Sequence, residues 1–266
     1  MTENKKETIL PEGYETFFDL AAEMDFTKHM GSAKSTKELI DLCHINKETH
    51  VLDIGCGVGQ TPCYLAKRVG CRVVGIDINA RMVERAKERA KRMRVEDNVE
   101  FRIADAQELP FDDNVFDVVI TESVIAMVED KQRAISECMR VIKPGGYVGL
   151  NETTLLKASP PTEIVEFMAN STPGAHVESL NAEDWEELLA GPGLRDIIVK
   201  TYEVKARSEG SSMLKRYGLK HMVKTIFRML ALYKRSPSYR QFAKEAGSAP
   251  REMAEYYGYG IYVGRK

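Results

Sequence analysis

Several residues stand where short apolar runs break off, and their types suit the binding of a nucleoside. The run VLDI carries Asp53 and ends in Gly55, and Gly55, Gly57 and Gly59 form a GxGxG turn. Glycine lets the backbone turn tightly and approach a ligand, and the helix that follows offers N–H groups with no partner in the helix. The run RVVGI ends in Asp77. A carboxylate after a second strand can accept both vicinal hydroxyls of a ribose. Asp105 and Ala106 follow the third run, VEFRI, where an Asp can accept from an adenine amino group. Thr121 and Glu122 close the fourth run, and Glu152 closes the fifth.

Two adenosine-containing ligands fit that set, a dinucleotide and S-adenosylmethionine. The dinucleotide fingerprint GxGxxG would place its third glycine at position 60, which is Gln60. Asp53, just ahead of the turn, is unfavourable beside a pyrophosphate and favourable beside an ammonium and a sulfonium. Both features lean towards S-adenosylmethionine. A nicotinamide-dependent oxidoreductase is the alternative, and a non-catalytic S-adenosylmethionine-binding module is another.

These residues need a scaffold, and composition supplies one. The chain has 266 residues, 43% of them hydrophobic and 29% charged, with a net charge of −2. That balance fits a folded globular protein with a full core, excludes disorder as the main state, and argues against nucleic acid as a partner. The five cysteines form no CxxC pair, so neither a disulfide framework nor a structural zinc site is expected, and no metal is predicted. The start, MTENKKETIL, lacks a signal-peptide apolar region, and no apolar stretch is long enough to span a bilayer. A cytoplasmic location is the expectation.

From residue 50 onward, strand-like and helix-like segments alternate. Strands are expected at His50–Ile54, Arg72–Asp77, Val99–Ile103, Val115–Thr121 and Tyr147–Asn151, with helices over Val58–Arg68, Ala80–Arg94 and Glu129–Ile142. Asn79 is placed to cap the second helix. Unbroken apolar runs mark strands covered on both faces, so the fold class is α/β: a doubly wound, mostly parallel sheet of seven strands with helices on both faces and a helical cap. Ligands in such sheets sit beyond the carboxyl ends of the strands. Residues 1–45 are expected to form a helical lid and 46–155 the cofactor-binding core. Residues 156–266 complete the sheet in the same domain, with a substrate cap near 208–255.

The stretches DIGCGVG, GIDIN, ADAQELPF, FDVVITESV and IKPGGYV resemble, in order, the motifs of class I S-adenosylmethionine-dependent methyltransferases. The third and fifth look most like the small-molecule branch that includes quinone-biosynthesis C-methyltransferases. The resemblance implies that Gly55, Gly57 and Gly59 line the methionine part of the cofactor, with Asp53 beneath it and Gln60 at the helix start. It implies that Asp77 holds the ribose, Ile78 packs on the adenine, and Asp105 and Ala106 read the adenine edge. Thr121 and Glu122 would flank the reacting centre. Lys143–Gly146 reads as a turn that positions the fifth strand.

Methyl transfer from a sulfonium needs alignment and a dry site, and a base only where the acceptor must lose a proton. Glu122 and Glu152 are the candidates for that base. Glu122 reads equally well as a structural contact, and Glu152 reads first as a solvated carboxylate on the rim. His29, His176 and His221 read as surface or capping histidines, and Tyr14, Tyr217, Tyr257 and Tyr259 as core residues or substrate contacts. Tyr14 to Phe26 has apolar residues at helical spacing, so Tyr14 or Phe18 is expected over the pocket. Ser211–Arg235 has seven Lys/Arg, no acidic residue and an apolar face of Leu219, Met222, Val223, Ile226, Phe227 and Leu230. It reads as a cap helix with a solvated basic face, or as a surface for an anionic substrate or a membrane. The acceptor is expected to be small, and lipophilic or anionic.

Overall fold

Short runs rich in Val and Ile pack as strands in the computed structural model, which describes residues 17–25, 29, 31–169, 172, 175–204, 219–250 and 252–266. The strands are β1 (His50–Ile54), β2 (Arg72–Asp77), β3 (Val99–Ile103), β4 (Phe116–Glu122), β5 (Ile142–Leu155), β6 (Leu180–Asn181), β7 (Arg195–Glu203) and β8 (Tyr257–Arg265). They lie in the order β3-β2-β1-β4-β5-β8-β7. The pairs from β3 to β5 are parallel, and β8 runs antiparallel to both β5 and β7. Among the described residues the sheet has eight strands rather than the expected seven. The extra one is the two-residue β6, which pairs with Thr154 and Leu155. β5 runs on past the end of β4, whose pairing stops at Glu122↔Asn151, so its edge needs another partner.

The helices are α1 (Phe17–Glu23), α2 (Ser32–Leu42), α3 (Gln60–Tyr64), α4 (Ala80–Met93), α5 (Lys131–Val141), α6 (Thr162–Ala169), α7 (Ala182–Ala190), α8 (Leu219–Arg235), α9 (Pro237–Ala246) and α10 (Met253–Tyr256). Asn79 caps α4 by accepting from the N–H groups of Arg81 and Met82. α5 starts two residues later than its apolar pattern suggests, because the Asp130 side chain accepts from Arg133 N–H and sets the boundary there. One core, with Leu39, Cys63, Val83 and Ala86, fills the space between the sheet and α2, α3 and α4. A second, with Ile135, Cys138, Trp185 and Leu189, joins the other face to α5 and α7. All five cysteines are buried and free of disulfides. Strand order reverses between β1 and β4, which opens the crevice beyond their carboxyl ends.

α1 is docked on α4 by charge as well as by packing. Asp19 accepts from Asn79 Nδ2, Glu23 meets Arg85, and Asp25 meets both Arg89 and Arg92. Phe17 and Phe18 pack on a cluster that includes Val58, the side chain inside the glycine turn. α8 rests on α1. Thr225 Oγ1 donates to Met24 O, and Arg228 Nη1 donates to Glu23 O at 2.9 Å. These bonds satisfy carbonyls that the end of a short helix leaves without partners. Leu20 and Met24 then pack with Met229, Leu232 and Tyr239. Tyr14, Tyr217 and residues 205–218 lie outside the described residues, as do the side chains of Lys220 and His221.

Candidate functional site

The glycine turn leaves β1 at the centre of the sheet and is bracketed by two carboxylates from its neighbours. On the β2 side, Asp77 Oδ2 accepts from Gly57 N and Oδ1 accepts from Asn79 N, each at 2.9 Å. Burial raises the Asp77 carboxyl above its usual range, and the two N–H groups oppose that shift. The bonds fix the carboxylate at the lip of the turn and leave it further lone-pair directions. Two turn glycines are required by space. Gly55 has φ +67, and a Cβ there would stand 2.3 Å from Val124 Cγ2. Gly59 has φ +74, and a Cβ would meet Ala86 Cβ at 2.8 Å. A side chain at either position would push β4's following loop or α4 away from the turn.

Beyond Asp77 the rim is bare and apolar. Ile78 is 70% exposed, and Ile103, whose Cα pairs with that of Asp77, is 58% exposed. Asp105 Oδ1 accepts from Gln107 N at 2.8 Å, which holds a tight loop beside buried Ala106. Asp53 is buried between Gly75 and Ile120 of the flanking strands. The Cys56 thiol is pushed well up, by burial first and then by the Asp77 and Asp53 carboxylates. Asp53 and Asp77 thus stand together at the head of the crevice. Gln60 is placed differently from the rest. Its Oε1 accepts from Arg89 Nη1 at 2.6 Å, and Arg89 also donates to Val58 O and meets Asp25. Gln60 thus ties the turn to α4 and to the segment after α1.

On the β4 side stands Glu122. Its Oε1 accepts from Thr61 Oγ1 of α3 and its Oε2 from Thr36 Oγ1 of α2, both at 2.7 Å. His29 Nε2 lies 3.2 Å from Oε2. His29 is only 6% exposed, with Nδ1 3.1 Å from Asn151 Nδ2. The reading of His29 as a surface or capping histidine is corrected: the segment before α2 carries it under the sheet's edge, against Glu122 and Asn151. Composition and spacing gave no sign of this: besides Ser35 and Thr36 of α2, its partners come from β4 and β5. His176 is exposed.

Glu152 is the second correction. It is not a solvated rim carboxylate but 0% exposed. Oε1 accepts from Thr121 Oγ1, Val124 N and Ile125 N, and Oε2 from Ala126 N at 3.4 Å. It caps the single helical turn Ile125–Met127 after β4. Thr121 is fully buried with its hydroxyl turned to Glu152, so its side chain supports that cap. Among the described residues, no group of three or more His, Cys, Asp or Glu is arranged to hold a metal ion.

Residues 52–150, which contain the turn and both flanking carboxylates, match the family described as a methyltransferase domain. The chain carries a methyltransferase domain. The resemblance of its motifs to class I S-adenosylmethionine-dependent methyltransferases is borne out. Over 170 residues the chain is 30% identical to a phosphoethanolamine N-methyltransferase of Triticum aestivum, covering 64% of this chain and 32% of that protein. Over 157 residues it is 32% identical to the 27-O-demethylrifamycin SV methyltransferase of Amycolatopsis mediterranei, covering 54% of this chain and 58% of that one. The chain therefore spans about a third of the length of the phosphoethanolamine relatives it matches. Phosphoethanolamine N-methyltransferase 2 of Haemonchus contortus, solved in complex with S-adenosyl-L-methionine, shares the fold with a TM-score of 0.73 at 20% identity. The match covers 97% of this chain and 61% of that one. In the methyltransferase domain of this protein, the acidic crevice lies at the reversal of strand order, and α1 is packed against its glycine turn.

Proposed function

We propose that this protein transfers a methyl group from S-adenosylmethionine to a small acceptor. The observation that carries the reading is the glycine turn held between Asp77 and Glu122 inside the matched segment 52–150. The residues fit the cofactor. Glycines at positive φ let the turn backbone come close to a ligand, and the Asp77 carboxylate, held by the N–H groups of Gly57 and Asn79, suits a cationic nucleoside. When bound, S-adenosylmethionine supplies a methyl group on a sulfonium, open to in-line displacement.

The chain's own residues then have distinct tasks. Asp77 holds the ribose hydroxyls. Ile78 offers an apolar surface to the adenine, with Ile103 alongside, and Asp105 with the N–H of Ala106 meets its edge. Asp53, Gly55, Gly57 and Gly59 form the floor under the methionine moiety. Glu122, fixed by Thr36, Thr61 and His29, faces the reacting end, where it aligns the acceptor or takes up its proton. The flanks 1–45 and 208–255 act together as one lid, which agrees with the contacts of Thr225 and Arg228 on α1. The names of the relatives denote small-molecule acceptors, one a phosphorylated amine, and that supports an acceptor of modest size, lipophilic or anionic.

Calorimetry with S-adenosylhomocysteine and with NAD tests the cofactor: binding of the first and not the second is expected, and the reverse would reject the reading. Transfer of labelled methyl from S-adenosylmethionine into a cell extract, followed by mass spectrometry of the labelled product, tests the activity.

A further inference from the structure

The helix α8 has two apolar faces, and among the described residues only one is packed inside the molecule. Met229 and Leu232 pack on Leu20, Met24 and Tyr239, and Thr225 is buried against α1. On another side Leu219, Val223, Ile226, Phe227, Leu230 and Tyr233 are all exposed, Phe227 to 68%. Their spacing of three and four residues places them in one stripe along the helix. Lone exposed apolar residues are ordinary; a continuous stripe of large ones marks a contact surface.

Charge selects the partner. Between Leu219 and Arg235 there is no acidic residue, and Lys220, Lys224, Arg228, Lys234 and Arg235 are basic. The whole chain is net −2, so this cationic patch stands against its surroundings. Arg228 is engaged on Glu23 O; Lys224 and Lys234 are exposed beside the apolar stripe. A second copy on the same face would bring these cations together, with no carboxylate on the helix to offset them. An anionic lipid surface answers both features, since headgroups meet the lysines and acyl chains meet the stripe.

We infer that α8 docks this protein on anionic membranes, lying in the interface with Phe227 inserted. The docking does not depend on methyl transfer. α8 is far too polar to cross a bilayer, in keeping with the absence of any spanning helix among the described residues.

Flotation of the purified full chain tests this, with vesicles of phosphatidylcholine alone and of equal parts phosphatidylcholine and phosphatidylglycerol. The protein is expected to float with the anionic vesicles and to be released by high salt. Because both side chains are exposed, Ile226→Ser with Phe227→Ser should leave the circular dichroism unchanged and lower vesicle partitioning about tenfold or more. Lys224→Glu should lower it about fivefold or more. Recovery at the bottom of the gradient with both vesicle types would overturn the inference. So would equal flotation of the double serine variant, or a dimer in sedimentation velocity that this variant converts to monomer.

Discussion

Glu122 and Glu152 leave neighbouring strands on the same edge of the crevice, and both are withdrawn from water, yet they belong to different regions of the molecule. Glu152 is bonded within the sheet and the loop after β4: a hydroxyl from Thr121 and N–H groups from Val124, Ile125 and Ala126. It is a fastening, and burial raises its carboxyl above the usual range against the pull of those bonds. Glu122 is bonded across regions, to Thr61 behind the glycine turn, to Thr36 on α2 and to His29 ahead of α2. It joins the core to the leader that packs beside it. Burial alone does not separate the two; the origin of their partners does.

The comparison predicts opposite phenotypes. Glu152→Ala removes the acceptor from a hydroxyl and a set of backbone N–H groups, so unfolding free energy in urea should fall by about 3 kcal/mol. A loss below about 1 kcal/mol would remove its role as a fastening. Glu122→Gln keeps the shape of the side chain, and the rate of methyl transfer should fall about a hundredfold while stability changes by about 1 kcal/mol or less. A variant that loses stability and keeps its rate would make Glu122 a second fastening. Asp77→Ala lies at the other lip of the turn and should weaken S-adenosylhomocysteine binding by about 1–3 kcal/mol in calorimetry, without a comparable loss of stability. Unchanged affinity would end the ribose assignment. The smallest effect concerns buried groups with no polar task. Burial pushes the Cys63 and Cys71 thiols up to about 11 and Cys138 to about 12. Thiol labelling of the native protein near neutral pH should therefore be slow, and all five cysteines should react once it is unfolded; fast labelling in the native state would show an open core.

Local signals made much of the frame readable. The runs HVLDI and RVVGID became β1 and β2 with the bounds their composition suggests, and Asn79 caps α4 as a short polar residue before a helical pattern should. The glycine turn was equally plain, because three alternating glycines after a strand can take the positive-φ conformations a tight turn needs and other residues resist. Glu152 and His29 were misread for the same reason: each looked polar and therefore solvated. Their solvation is replaced by partners 26 to 31 residues away for Glu152 and, for His29, by Glu122 and Asn151, the latter 122 residues away, beside Ser35 and Thr36 nearby. Such separations leave no periodic trace. β6 was missed because its two residues pair with β5 only where β4 ends.

By itself, the order of residues determined that a parallel sheet would present a glycine turn flanked by acidic strand ends, because turn chemistry and apolar periodicity act between near neighbours. Folding in three dimensions decided which carboxylate fastens the core and which meets the leader, and which face of α8 is left uncovered. Those outcomes depend on contacts between distant segments, where burial, donors and acceptors are settled jointly and no single segment holds the information.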